Sequence, residues 1–86
     1  MVIDITPPVR RAFGRALYAH RTRLKMSQDF LALRAGVDDS LISLYECELR
    51  TPTLTSIFSL ASALGVRPSN LVQECIDQMQ REIHGK

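Results

Sequence analysis

Cysteine is scarce in this chain, and the two that occur, Cys47 and Cys75, stand at no metal-ligand spacing. Together with the lack of a signal peptide, this argues against a disulfide framework or a zinc module and predicts a reducing, cytoplasmic location. Glycine is equally sparse. Gly14, Gly36, Gly65 and Gly85 are isolated from one another, so there is no glycine-rich loop to cradle a phosphate. No metal-binding cluster and no nucleophile–base spacing appears either, so neither an enzymatic activity nor a cofactor or metal is expected. No apolar run approaches the roughly 18 to 20 residues needed to span a bilayer. An apolar content of 45% is nonetheless too high for a disordered tail. The 86 residues fit one small domain, 1–86. A domain of this size needs tight packing or a partner subunit to reach ordinary stability.

Charge is unevenly spread. The net charge is +2, but residues 1–37 carry seven bases against two acids, net +5, and residues 38–86 carry four bases against seven acids, net −3. The N-terminal half suits a polyanion, with Arg10, Arg11 and Arg15 either adding to that attraction or forming a solvated helix face.

Helical spacing dominates the pattern. Thr6 followed by Pro7 and Pro8 reads as an N-cap with first-turn prolines. From there Val9, Phe13, Ala16, Leu17 and Leu24 form an apolar stripe as far as Met26, interrupted by His20, read as a core histidine hydrogen-bonded to a neighbouring carbonyl. Ser27 caps a second helix, Gln28 to Ala35, which Gly36 stops by taking a left-handed conformation. Val37 is a buried pivot, and Asp38 caps a third helix from Asp39 to Cys47, with Leu41 or Ile42 and Tyr45 inward. After a loop through Glu48 to Thr51, Pro52 and Thr53 open a fourth helix. Its stripe is Leu54, Ile57, Phe58, Ala61 and Leu64, and it ends at Gly65. A fifth helix starts at Arg67-Pro68 and carries Leu71, Val72, Cys75, Ile76, Met79 and Ile83. Only Val2-Ile3-Asp4-Ile5 alternates with period two, and it is short. The predicted fold is all-α with five short helices.

Residues 28–47 meet the demands of a helix-turn-helix. Ala32 is small where the next helix crosses, Gly36 allows positive φ, and Leu31, Ala35, Val37, Ile42 and Tyr45 fill the wedge. Further along stand Arg50-Thr51-Pro52-Thr53-Leu54 and Leu60-Ala61-Ser62-Ala63-Leu64-Gly65-Val66. With Met26-Ser27-Gln28-Asp29-Phe30-Leu31-Ala32 and Ile42-Ser43-Leu44-Tyr45-Glu46, this ordered set resembles the Cro/C1-type, phage-repressor-like helix-turn-helix regulators, including small restriction-modification controller proteins. The resemblance runs from about Gly14 to Leu71 and implies a five-helix, lambda-repressor-like DNA-binding domain.

That resemblance also implies roles. The third helix would lie in the major groove of double-stranded DNA, with Asp39, Ser40, Ser43 and Leu44 toward base edges. Gln28, with Ser27 beside it, would meet a backbone phosphate at the second helix's N-terminus, and Arg50 would meet another from the following loop. Arg21 would pair with Glu46 as a structural ion pair. The fifth helix suggests a homodimer through Val72, Cys75, Ile76, Met79 and Ile83, because this stripe exceeds what a four-helix core covers. Its alternative is packing against Val2, Ile3 and Ile5 of the same chain. A two-fold dimer would place two recognition helices about 34 Å apart, matching a palindromic operator.

Residues 38–49 contain no Lys, Arg, Asn or Gln, so the most productive base pairings from the third helix are missing. Phe30, Leu33 and Leu44 stand where the family usually has polar side chains, His20 where it usually buries leucine, and Glu48 where a glycine often ends the third helix. A second reading follows: a helix-turn-helix repurposed to bind a protein partner through Phe30, Leu33 and Leu44, as an antitoxin-like or assembly module.

Overall fold

The computed structural model describes residues 3–84, with side-chain environments through Glu82. Among these residues there are five helices and no strand: α1 (Thr6–Arg23), α2 (Gln28–Ala35), α3 (Asp39–Glu46), α4 (Leu54–Leu64) and α5 (Pro68–His84). The all-α expectation holds. α1 packs on α3 and α5, α2 on α3 and α4, and α4 on α5. Between them lie Phe13, Leu17, Leu31, Ile42, Leu60 and Leu71, all fully buried. Each such side chain contributes about 2 kcal/mol of transfer free energy. Phe13 meets Tyr45 edge-on at 5.1 Å between ring centroids, a favoured aromatic geometry. The Tyr45 hydroxyl donates to Ser56 Oγ at 2.9 Å, which satisfies its polar end and ties α3 to α4.

The helix starts follow their caps. Ser27 Oγ accepts from the Phe30 N–H, and Thr53 Oγ1 from the Ser56 N–H, each at 3.0 Å. Asp38 accepts from the Ser40 N–H at 3.0 Å, as an N-cap aspartate should. α1 differs from expectation, because Thr6 is already helical and Asp4 Oδ1 accepts its N–H at 2.9 Å. Pro52 lies outside α4, whose cap is Thr53.

Four helices end in one device. After α1, α2, α3 and α4 a residue takes positive φ: Lys25 (58°), Gly36 (69°), Glu48 (66°) and Gly65 (73°). The next residue, respectively Met26, Val37, Leu49 and Val66, donates its N–H back to Arg21, Ala32, Leu44 and Ala61. This is the Schellman closure, which satisfies carbonyls the helix leaves open. It corrects two boundaries: α1 stops at Arg23 instead of Met26, because Lys25 turns the chain, and α3 stops at Glu46.

Two apolar expectations are also corrected. In α4 the inward face is Leu60, Ala61, Ala63 and Leu64, with Ile57 half-buried, whereas Leu54 and Phe58 are 69% and 54% exposed. α2 and α5 flank α4 on its other sides, so 54 and 58 fall on the open one. Leu24, beyond the last turn of α1, is also largely exposed.

Candidate nucleic-acid interface

The N-terminal half of α3 is exposed on the side facing α2. Gln28, Asp29, Asp39, Ser40, Ser43 and Leu44 line one open cleft of about 430 Å³. The structure thus brings together five of the seven residues expected to meet DNA. Ser27 lies next to the cleft, with its hydroxyl held as the α2 cap. Arg50 sits exposed in the α3–α4 loop. Its neighbour Thr51 accepts from Arg10 Nε at 2.8 Å, which carries a second guanidinium to that loop. Arg11 and Arg15 instead turn to Glu82 on α5, so of the three N-terminal arginines only Arg10 reaches the loop.

A buried ion pair anchors Gln28 at the cleft. Arg21 Nε and Nη2 donate to Glu46 Oε2 and Oε1 at 2.7 and 2.8 Å, and Nη1 donates to the Met26 carbonyl at 2.7 Å. Gln28 Nε2 donates to the same Glu46 carboxylate at 3.0 Å. One carboxylate therefore locks α1, the start of α2 and the end of α3 together. Arg21 and Glu46, expected as a pair, stand in bidentate contact. The bond from Gln28 and the reach to Met26 had no sequence signal beyond the presence of an amide three residues after a turn.

Electrostatics in the cleft are acidic. The Ser40 N–H and hydroxyl both bond Asp38, and these bonds hold its carboxyl below the usual carboxylate range. The Asp39 carboxyl is pushed up, chiefly by sharing a hydrogen bond with Asp38, with Asp29 adding repulsion. Beside this cleft Phe30 and Leu33 are 46% and 79% exposed. The Arg34 guanidinium lies 5.8 Å from the Phe30 ring centroid, and its Nε donates to the Ala63 carbonyl at 2.9 Å.

On the far side an apolar groove of about 210 Å³ runs between α1, α4 and α5, lined among others by Val9, Pro52, Ile57, Val72, Ile76 and Met79. Cys75 also lines it, its thiol pushed up to about 11 by burial and by Glu74. The Ile83 side chain and Val2 lie outside the described residues. Ile3 and Ile5 are exposed and do not cover the groove. His20 is buried, but its Nε2 has no hydrogen-bond partner, so the expected bond from that nitrogen to a carbonyl is not made. No group of three or more potential metal ligands occurs among the described residues.

Short capped helices meeting across a glycine turn, with the second one exposed at its start, define a helix-turn-helix domain. A helix-turn-helix family model matches residues 17–71, well over half of the chain, and the chain belongs to that Cro/C1-type family of DNA-binding regulators. Its fold is that of the restriction-modification controller protein C.AhdI from Aeromonas hydrophila, at 35% identity over 72% of this chain and 94% of that one, TM-score 0.70. It is also similar to the clp gene regulator ClgR from Corynebacterium glutamicum, at 22% identity over 90% of this chain and 82% of that one, TM-score 0.84. A hypothetical transcription factor, NHTF from Neisseria, shares 25% identity over 83% of this chain and 82% of its own, TM-score 0.71. No curated protein matches the chain significantly in sequence.

Proposed function

We propose that this protein is a sequence-specific transcriptional regulator that binds a palindromic operator as a homodimer in the cytoplasm. The observation that carries this reading is the cleft joining Gln28 to Asp39, Ser40, Ser43 and Leu44, with Gln28 anchored by the Arg21–Glu46 pair. In this reading α3 enters the major groove while Ser27 and Gln28 at the α2 N-terminus, and Arg50 with Arg10 at the loop, take backbone phosphates. Because α3 itself is acidic, these contacts supply the counterion-release term. Residues 1–86 act as one domain, with the helix-turn-helix at 28–47 and residues 72–86 as the dimerisation helix. Val72, Cys75, Ile76 and Met79 line an open, wholly apolar groove, and together with Ile83 further along α5 they meet the partner. No member of the cleft requires a cofactor.

The test is fluorescence anisotropy of a labelled duplex at several salt concentrations, with sedimentation in parallel. A dimer whose affinity falls steeply with salt supports the reading. A folded protein that ignores DNA at low salt overturns it.

The exposure of Phe30 and Leu33 next to an acidic cleft favours a second reading, a protein-binding module using Phe30, Leu33 and Leu44. Truncating these three to alanine separates the two readings. Loss of a cellular partner with DNA affinity intact favours the second.

A further inference from the structure

The polar inventory of the cleft leans toward acceptors, with the Ser43 hydroxyl and the second N–H of Gln28 as its remaining side-chain donors. Asp39 is exposed, and a carboxylate only accepts hydrogen bonds. The Ser40 hydroxyl donates its proton to Asp38 Oδ1 at 3.0 Å, so what it offers outward is lone pairs. Gln28, the one amide present, is tethered to Glu46 through one N–H, which fixes it at the start of α2. Leu44 offers methyl groups. No cation stands among the six lining residues.

The bases present different edges in the major groove. Guanine shows two acceptors, O6 and N7; cytosine shows the N4 amine; adenine shows the N6 amine beside an N7 acceptor; thymine shows O4 and a methyl group. A carboxylate set against guanine would meet lone pairs with no proton between them, an uncompensated desolvated charge. Against adenine one carboxylate oxygen gains the N6 amine while the other faces N7. Against cytosine the neighbour of the amine is a C–H, which repels neither oxygen.

Resting on the DNA-binding reading above, we propose that α3 excludes guanine at the position Asp39 reads: Asp39 accepts from a cytosine N4 amine, and Leu44 packs on a neighbouring thymine methyl. Specificity then comes from rejecting guanine as much as from selecting cytosine. Asp39 and Leu44 are the specificity-determining residues.

The test is selection of bound duplexes from a randomised library by the full-length protein, repeated with Asp39→Asn and Leu44→Ala. Wild-type half-sites should carry one fixed cytosine, with guanine there weakening binding about tenfold or more. Asp39→Asn should move that position to adenine, because an amide pairs with both N6 and N7. Replacing the fixed thymine by deoxyuridine should weaken wild type several-fold and leave Leu44→Ala unaffected. Asp39 is exposed, and the α3 cap is the Ser40 N–H on Asp38, so circular dichroism of Asp39→Asn should be unchanged. Half-sites fixed on guanine, or an Asp39→Asn profile identical to wild type, overturn the base assignment while leaving the regulator reading intact. Enrichment of no sequence by the folded protein overturns both.

Discussion

Arg21 and Glu46 meet across α1 and α3 through two parallel bonds, 2.7 and 2.8 Å long, with side chains only 11% and 7% exposed. A pair this dry has lost most of its hydration, and its members compensate one another. Glu46 also takes the Gln28 amide, so removing it strands a buried guanidinium and frees the start of α2. Glu46→Ala should cost about 3 kcal/mol or more, read by urea denaturation. Replacing both partners with Arg21→Met and Glu46→Leu should recover most of that stability. Recovery of DNA affinity should not follow, because Gln28 would still lack its anchor. Equal losses in the single and double variants would show that the pair is not energetically coupled.

Gly14 sits in the interior of α1, where alanine is ordinarily better by about 1 kcal/mol. Here a Cβ would stand 2.5 Å from the Tyr45 carbonyl oxygen, and backbone cannot swing aside as a side chain would. Gly14→Ala should therefore destabilise by about 2 kcal/mol despite its helix propensity, since forced overpacking separates elements. The change would push α3 away from α1, where the Arg21–Glu46 bonds also form. Thermal unfolding decides the sign. A more stable variant would mean that α1 and α3 do not approach this closely.

Glu48 holds φ at 66° in the left-handed turn that closes α3, with its N–H donating to the Tyr45 carbonyl at 3.0 Å. A side chain in this conformation costs roughly 1 kcal/mol relative to glycine. Glu48→Gly should stabilise the protein by about that amount, and removing one acid at the end of α3, the helix proposed to face DNA, should raise nonspecific DNA affinity at low salt. The same change at an ordinary helical position would destabilise. A drop in melting temperature would place the value of Glu48 in contacts of its side chain.

These closures also explain what could be read from sequence. Gly36 and Gly65 announce their turns, because only glycine takes positive φ at no steric cost, and α2 and α4 end where expected. Lys25 and Glu48 make the identical turn without that signature, so the end of α1 was placed at Met26, three residues late. The caps Ser27 and Asp38 and the core residues Phe13, Leu31, Ile42 and Tyr45 were legible, since each combines a local propensity with helical spacing. Leu54 and Phe58 were not, because an apolar stripe marks a face without saying whether anything packs on it. In the candidate interface, the Arg21–Glu46 pair was legible only through family resemblance. The tether from Gln28 to Glu46 spans 18 residues and becomes visible only once α2 and α3 are folded against each other.

His20 lies buried at 9% exposure, on α1 where Glu74 of α5 and Arg23 of its own helix are its charged neighbours. Burial, aided by repulsion from Arg23, lowers its pKa below the ordinary 6.5, and Glu74 only partly opposes this. Between the two values the unfolded chain binds more protons than the folded one, so stability falls as pH drops below about 6.5 and levels off once the folded form also titrates. His20→Leu removes the proton site and the unpartnered Nε2, whose burial carries a penalty of about 1–3 kcal/mol. The variant should melt at higher temperature at every pH from 5 to 7.5, with its advantage over wild type widening toward pH 5. The carboxylates are the same in both proteins and cancel in the difference. Because His20 lies on the α1–α5 side, the same acid shift should loosen α5, the helix proposed to carry the dimer, and sedimentation at pH 5 and 7.5 should then show weaker association only in wild type. An advantage independent of pH would mean that His20 keeps its ordinary pKa in the fold.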